Sequence, residues 1–266
     1  MDKGITAILT LYRREEYLKE QISALRNQTV PPEEIWIWVN SHPDNVSFKK
    51  GDLDVDRVFY NDHNWKYHGR FAAGLLARTE FIAIFDDDTI PGRKWFENCL
   101  ATIKLGHDGI LGSAGVILQS PYYVKHERVG WNGTPPNQEV KEVDLVGHSW
   151  FFRREYLRYF WDQEPLSWDN GEDIHFSYVA QKLGNINTFV PPHPDYDLEM
   201  HGSIKGWSYG TDKKASSNGS LMPIGVFYLQ RDVCIQHAMS DGWRTVNAVD
   251  KLWNQTGMDK NKTHSE

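Results

Sequence analysis

Apolar and polar positions alternate in blocks along the first half of the chain. Ile5–Leu11 is a run of strand length, and residues 15–26 set Tyr17, Leu18, Ile22 and Leu25 on one face at helical spacing. Pro31-Pro32 then breaks the chain. Residues 35–40, rich in Trp, Ile and Val, read as a second strand, and Arg57–Tyr60 as a short third. Residues 69–78 predict a helix with Phe71, Leu75 and Leu76 inward, and Phe81–Phe85 predicts a further strand. Trp95–Lys104 reads as a helix, and Ile110–Leu118 as a strand interrupted by glycines. Such alternation predicts a mainly parallel sheet covered by helices.

The second half is less regular. Residues 122–136 are aromatic and turn-rich, and 143–152 resume strand character, followed by a Tyr- and Arg-rich stretch to Trp161. Residues 172–183 predict a helix with Ile174, Tyr178 and Val179 in register, and 185–190 a late strand. Residues 194–220, rich in Gly, Ser, Asp and Lys, predict a long mobile loop of the kind that closes over a site. Residues 226–239 predict a C-terminal helix, and the polar tail after Trp253 is expected to fray.

Bulk properties narrow the function classes. The 266 residues suffice for one large domain or two small ones. A net charge of −7 argues against general nucleic-acid binding, which needs a basic face. Cys99 and Cys234 are the only cysteines, so neither a disulfide framework nor a cysteine-rich zinc site is expected, and a reducing compartment is favoured. The first apolar run is too short for a secretory signal, and no stretch approaches membrane-spanning length. The expectation is a soluble, cytoplasmic protein, with room for peripheral contact with a membrane.

Two acidic motifs carry the candidate chemistry. Asp86-Asp87-Asp88 follows directly on Phe81–Phe85, which delivers carboxylates to the rim of a sheet, where open α/β folds bind ligands. Carboxylates that close repel one another and call for a hard divalent cation such as Mg²⁺ or Mn²⁺. The plainer reading is a solvated turn that caps the next helix. The second motif, Asn170-Gly171-Glu172-Asp173, opens a predicted helix, where the positive end of the dipole favours an ionised carboxylate able to accept a proton. Here the plainer reading is dipole compensation. Thr10, Tyr12, Arg14, Asn40 and Arg70 lie after early strands or at a helix start, where a ring stacks on a base, an amide bonds its edge and a guanidinium holds phosphate. The chain has neither a Gly-Lys-Ser/Thr phosphate loop nor a Gly-x-Gly-x-x-Gly after the first strand.

The order and spacing of these pieces resemble nucleotide-sugar-dependent glycosyltransferases of the GT-A fold. Tyr12-Arg13-Arg14-Glu15-Glu16-Tyr17-Leu18 and Gln28-Thr29-Val30-Pro31-Pro32 are similar to inverting family-two transferases. Val39-Asn40, Phe85-Asp86-Asp87-Asp88-Thr89 and Asn170-Gly171-Glu172-Asp173-Ile174 are also similar to exostosin-like transferases. The resemblance implies a single α/β domain of GT-A (Rossmann-like) type, with a mixed, mainly parallel sheet flanked by helices. It implies a donor-binding half over 1–118, an acceptor-binding and catalytic half over 119–253, and a polar tail over 254–266.

Residue by residue, the resemblance makes Asp86 and Asp88 the DxD element, with Asp88 the direct metal ligand and Asp86 nearer the donor ribose or sugar. His201 supplies a further metal ligand from the late loop. Thr10, Tyr12, Arg14, Asn40, Arg70, Asp86, Asp87 and Gly147 are the implied nucleotide-sugar contacts, and Asp173 with Glu172 the catalytic acids. Asn40-Ser41 departs from the acidic pair common in family two, which leaves the base contact open. The implied cofactor is Mn²⁺ (or Mg²⁺), and the implied donor a UDP-sugar before GDP- or dTDP-sugars. The acceptor is a hydroxyl on a glycan or glycolipid. Family-two likeness implies inversion and exostosin likeness retention, with inversion preferred. Lys205, Lys213 or Lys214 would bring positive charge as the late loop closes. Trp131, Trp150, Trp168 and Trp207 are candidates for stacking on sugar rings, whereas Trp36 or Trp38 is expected in the core. A sugar-phosphate nucleotidyltransferase and a non-catalytic glycan-binding module are the alternative readings.

Overall fold

The computed structural model describes residues 4–131, 135–211, 213–214 and 222–260. A single nine-stranded sheet organises the chain. Its strands are β1 (Ile5–Leu11), β2 (Glu34–Val39), β3 (Arg57–Tyr60), β4 (Phe81–Phe85), β5 (Ile110–Leu118), β6 (His126–Gly130), β7 (Lys141–Val143), β8 (Leu145–Arg153) and β9 (Thr188–Val190). The order is β3-β2-β1-β4-β8-β5-β9-β7, with β6 paired to β5. Every residue of β1 and of β4 is buried, which is why both read as unbroken apolar runs rather than as alternating ones.

The strands β3, β2, β1 and β4 are all parallel, so Tyr12, Asn40 and Asp86 leave the sheet at one edge. β8 then pairs antiparallel to β4, with Phe85 opposite Ser149, and the Asp86 N–H bonds the His148 carbonyl at 2.9 Å. This non-local pairing brings Gly147 and His148 to the same edge. β5 runs antiparallel to β8 with a register shift between Gly112 and Ala114. Gly112 is required there, since a Cβ would meet the Val146 Cβ at 2.3 Å.

The helices are α1 (Leu18–Arg26), α2 (Gly69–Gly74), α3 (Trp95–Lys104), α4 (Leu157–Asp162), α5 (Glu172–Gly184), α6 (Gly206–Tyr209), α7 (Ile224–Ser240) and α8 (Val249–Lys260). On one face of the sheet, Leu18, Ile22 and Leu25 of α1 and Trp95, Phe96 and Cys99 of α3 pack on Leu9, Ile37 and Phe85. On the other, Phe71, Phe160 and Phe176 pack on Ile8, Ile82 and Phe152. Both Trp36 and Trp38 lie in that second core, two residues apart on one strand face. A third cluster joins α5, α7 and α8 through Ile174, Val179, Ile235, Met239 and Val249. The domain is thus a single α/β unit with a mixed sheet, parallel through its first four strands and flanked by helices.

Several expected elements change. The first turn of 15–26 is a separate 3-10 turn, Glu15–Tyr17, ahead of α1. α2 stops at Gly74, so Leu75 and Leu76, expected inward, are 49% and 65% exposed. The stretch 143–152 is two strands that part at Asp144, whose carboxylate accepts the Leu118 N–H at 2.6 Å and the Val246 N–H at 2.7 Å. β6 lies inside the turn-rich 122–136. The expected loop 194–220 contains a 3-10 turn at Leu198–Met200 and the short α6. The chain after Trp253 continues as α8 to Lys260. Cys99 and Cys234 are both buried and free. Among the described residues, no helix is long and apolar enough to cross a membrane.

Candidate functional site

The carboxyl ends of β1, β2 and β4, the bend in β8 and the start of α5 surround one cleft of ≈ 360 Å³. Thr10, Tyr12, Arg14, Asn40, Arg70, Asp86, Asp87, Asp88, Gly147, Glu172 and Asp173 all line it. The expected metal ligand His201 does not. Gly147 faces open space where a side chain would stand, so its lack of one leaves room in the cleft.

Asp86, Asp88 and His148 form the acidic edge. Each offers one ligand atom, and these atoms lie within 4.8 Å of one another. The His148 Nδ1 stands 3.8 Å from Asp88 Oδ1 and 4.0 Å from Asp86 Oδ2. Its backbone is left-handed (φ 63°), an uncommon conformation for histidine, and its ring packs on Trp131 with centroids 4.0 Å apart. Two carboxylates and an imidazole converging on one point suit a divalent cation. Burial pushes the Asp88 carboxyl up, but His148 and Arg14 beside it outweigh this and hold it below its ordinary value. Asp87 is driven the other way, to about 6, by burial and by the Asp88 charge, against the pull of Arg14.

The expected phosphate ligands Arg14 and Arg70 are engaged with carboxylates. Arg14 Nη1 donates to Asp87 at 2.7 Å and lies 3.3 Å from Asp88. Arg70 donates to Asp86, to Glu172 at 3.0 Å and to Thr10 Oγ1 at 3.4 Å, with its guanidinium 4.5 Å from the Trp150 ring. One side chain thereby ties the end of β4 to the start of α5. Glu172 rises to about 7, through burial and the adjacent Asp173, with Arg70 opposing. Asp173 accepts from Arg231 at 2.6 Å on one oxygen and from the Ile174 N–H at 2.8 Å on the other. Gly171, at φ 83°, makes the turn into α5 that sets both acids on the cleft wall.

Asn40 is committed to the cleft wall: its oxygen accepts from Trp38 Nε1 at 3.0 Å, and its amide donates to the Lys66 carbonyl at 2.8 Å. Tyr12 packs edge-on to His42. Trp131 and Trp150 line the cleft, while the exposed Trp168 packs against His68 outside it. The Trp207 side chain lies outside the described residues. The late segment rests across the rim. The Ile204 N–H bonds the Ile90 carbonyl, Tyr209 stacks on Tyr17 at 3.9 Å, and Lys205 pairs with Glu20 and Lys214 with Glu16. A Cβ on Gly210 would stand 3.2 Å from Asp88 Oδ2, so this segment reaches the acidic edge.

His201, expected as a metal ligand, is placed elsewhere. Its Nε2 is 2.7 Å from the Pro194 carbonyl and its ring packs on His193. His148 takes the position beside the aspartates. The available signal was the polar pair His148-Ser149 between the apolar Leu145-Val146 and Trp150-Phe151, but only the pairing of β4 with β8 aims His148 at Asp86. Arg231, beyond every quoted motif, is another residue that sequence reasoning passed over.

Known proteins place this geometry. No curated protein matches the chain. Among solved structures, S. aureus TarS is 18% identical with a TM-score of 0.52, over 72% of this chain and 35% of that one. TarS 1-349 in complex with UDP-GlcNAc is 17% identical with a TM-score of 0.52, over 72% and 56%. The complex with UDP is 16% identical with a TM-score of 0.50, over 72% and 58%. The chain therefore spans about a third to just over half the length of these structures, and at such identity the likeness is one of fold. The family model for glycosyl transferase family 2 matches residues 6–161, which takes in the first four strands, the aspartate trio and β8. With more than half of its residues matched, the chain belongs to glycosyl transferase family 2.

Proposed function

We propose that the chain moves a sugar from a nucleoside diphosphate sugar, a UDP-sugar first, to a hydroxyl of a glycan or glycolipid, with inversion at the anomeric carbon. The observation that carries this reading is the Arg70 bridge: two acidic motifs more than eighty residues apart share one cleft and one guanidinium. Residues 1–118 would hold the donor and 119–253 the acceptor and the catalytic carboxylate. TarS 1-349 has been solved with UDP and with UDP-GlcNAc, which supports UDP as first choice.

The acidic edge supports a cation: Asp86, Asp87 and Asp88 stand together against Arg14 and an Arg70 that is shared with Glu172. Asp88, Asp86 and His148 would hold the ion, with the imidazole favouring Mn²⁺ over Mg²⁺. Bound there, a dication supplies Lewis-acid stabilisation of charge on a diphosphate.

Asp173 accepts the proton of the acceptor hydroxyl as that oxygen bonds to the anomeric carbon. The bond from that carbon to the diphosphate oxygen breaks, and its electron pair leaves with the nucleotide. Glu172 and Arg70 fix the wall beside Asp173, and the segment through Gly210 limits water at the acidic edge. A screen of nucleotide sugars for Mn²⁺-dependent turnover, with the product anomer assigned by NMR, tests donor and stereochemistry together. Asp173→Asn should retain donor affinity while turnover falls by about 10²- to 10⁴-fold, the usual worth of a positioned base. Unchanged turnover would remove Asp173 from the mechanism.

A further inference from the structure

We infer that Arg231, on α7, is the positioning residue that aims Asp173 at the acceptor hydroxyl; the inference rests on the reading of Asp173 as the base. Arg231 is buried, donates to Asp173 Oδ2 at 2.6 Å and to Asn170 Oδ1 at 3.3 Å, and lies 3.9 Å above the Tyr123 ring. With the Ile174 N–H on the other oxygen, the carboxylate is held at both ends. Rotation about its terminal torsion would break one bond or the other. Each oxygen still has a lone pair for an incoming hydroxyl.

Scaffolding alone accounts poorly for this pair. A buried ion pair is seldom more stable than apolar residues of similar volume. Arg231 also leaves its Nε–H without a partner among the described residues, which is a cost in a buried group. Nor is α7 short of apolar packing, since Cys234, Ile235, Ala238 and Met239 already bind it to α5. The guanidinium faces the cleft, next to two adjacent carboxylates. Near Asp173 stand Glu172 on its own helix, His68 just ahead of α2, and Arg231 and Cys234 on α7. Arg70 is shared with Asp86 and Glu172, so Arg231 is the cation dedicated to Asp173.

Arg231→Met removes the charge and both bonds while keeping an unbranched side chain. Expected is a drop in kcat of about 10²-fold with donor KM unchanged, since a mis-aimed base slows the chemical step alone. Arg231→Lys should return most of kcat. Wild-type kcat in Arg231→Met overturns the inference. So does a loss in which kcat and donor KM change together and lysine gives no rescue, which is the pattern of a structural role. Should Arg231→Met fail to fold, Arg231→Gln is measured against the same criteria. Asp173→Asn is run alongside: if it retains wild-type turnover the base reading itself fails, whereas an inactive Asp173→Asn beside a fully active Arg231→Met sinks only the role given to Arg231.

Discussion

Acid should loosen the chain through His193, which anchors the segment that crosses the acidic edge. Its ring is buried, with Nδ1 2.8 Å from the Pro191 carbonyl and Nε2 accepting the Gly202 N–H at 3.1 Å. Only the neutral tautomer with the proton on Nδ1 satisfies both bonds, and a second proton on Nε2 would face the Gly202 N–H. Burial accordingly lowers its pKa from 6.5 to about 3. Because the folded value lies below the unfolded one, the unfolded chain binds the extra proton first. The contribution of His193 is complete above pH 6.5 and is lost as pH falls toward 3. Going from about pH 7.5 to about pH 5 should cost about 2 kcal/mol from this group alone, at about 1.4 kcal/mol per pH unit below the unfolded pKa. The assay is urea unfolding of wild type and His193→Gln at both pH values. The wild type should lose about 2 kcal/mol more than the variant over that interval. Equal losses would refute the tautomer argument, because other buried histidines such as His68 contribute to both proteins alike.

Other substitutions probe the cleft. Arg70→Met strands Asp86 and Glu172 and should cost about 3 kcal/mol or more in urea unfolding, as for any broken buried pair; a loss under about 1 kcal/mol would show that the bridge carries little charge. Gly147→Val places methyl groups in open space, so stability should stay within about 0.5 kcal/mol while turnover collapses because the cleft is filled. Retained turnover in Gly147→Val would mean that substrate does not pass over β8.

The parts of the fold legible in sequence are those governed by local patterning. Phe81–Phe85, Trp95–Lys104 and Ile110–Leu118 stand at the expected bounds, since continuous burial or a one-sided apolar face leaves its mark in a short window. The exposure of Leu75 and Leu76 was not legible, because α2 ends where Gly74 packs against Leu157 from a distant helix. Nor was the break at Asp144, whose reason is a pair of backbone N–H groups on Leu118 and Val246. The cleft divides in the same way. Asp86, Asp88 and Asp173 sit at element ends that their own neighbours announce. The convergence of His148, rather than His201, on Asp86 and Asp88 depends on an antiparallel pairing between strands some sixty residues apart, which no local pattern encodes. The commitment of Arg14 and Arg70 to carboxylates is likewise a property of the assembled edge, where the acids are near enough to claim both guanidiniums.

Calorimetric titration of UDP in the presence and absence of Mn²⁺ tests the acidic edge as a cation-dependent diphosphate site most directly. Binding should require the cation, disappear in Asp88→Ala, weaken in His148→Ala and persist in His201→Ala. UDP that binds equally well with chelator present, or that survives Asp88→Ala, would contradict the account.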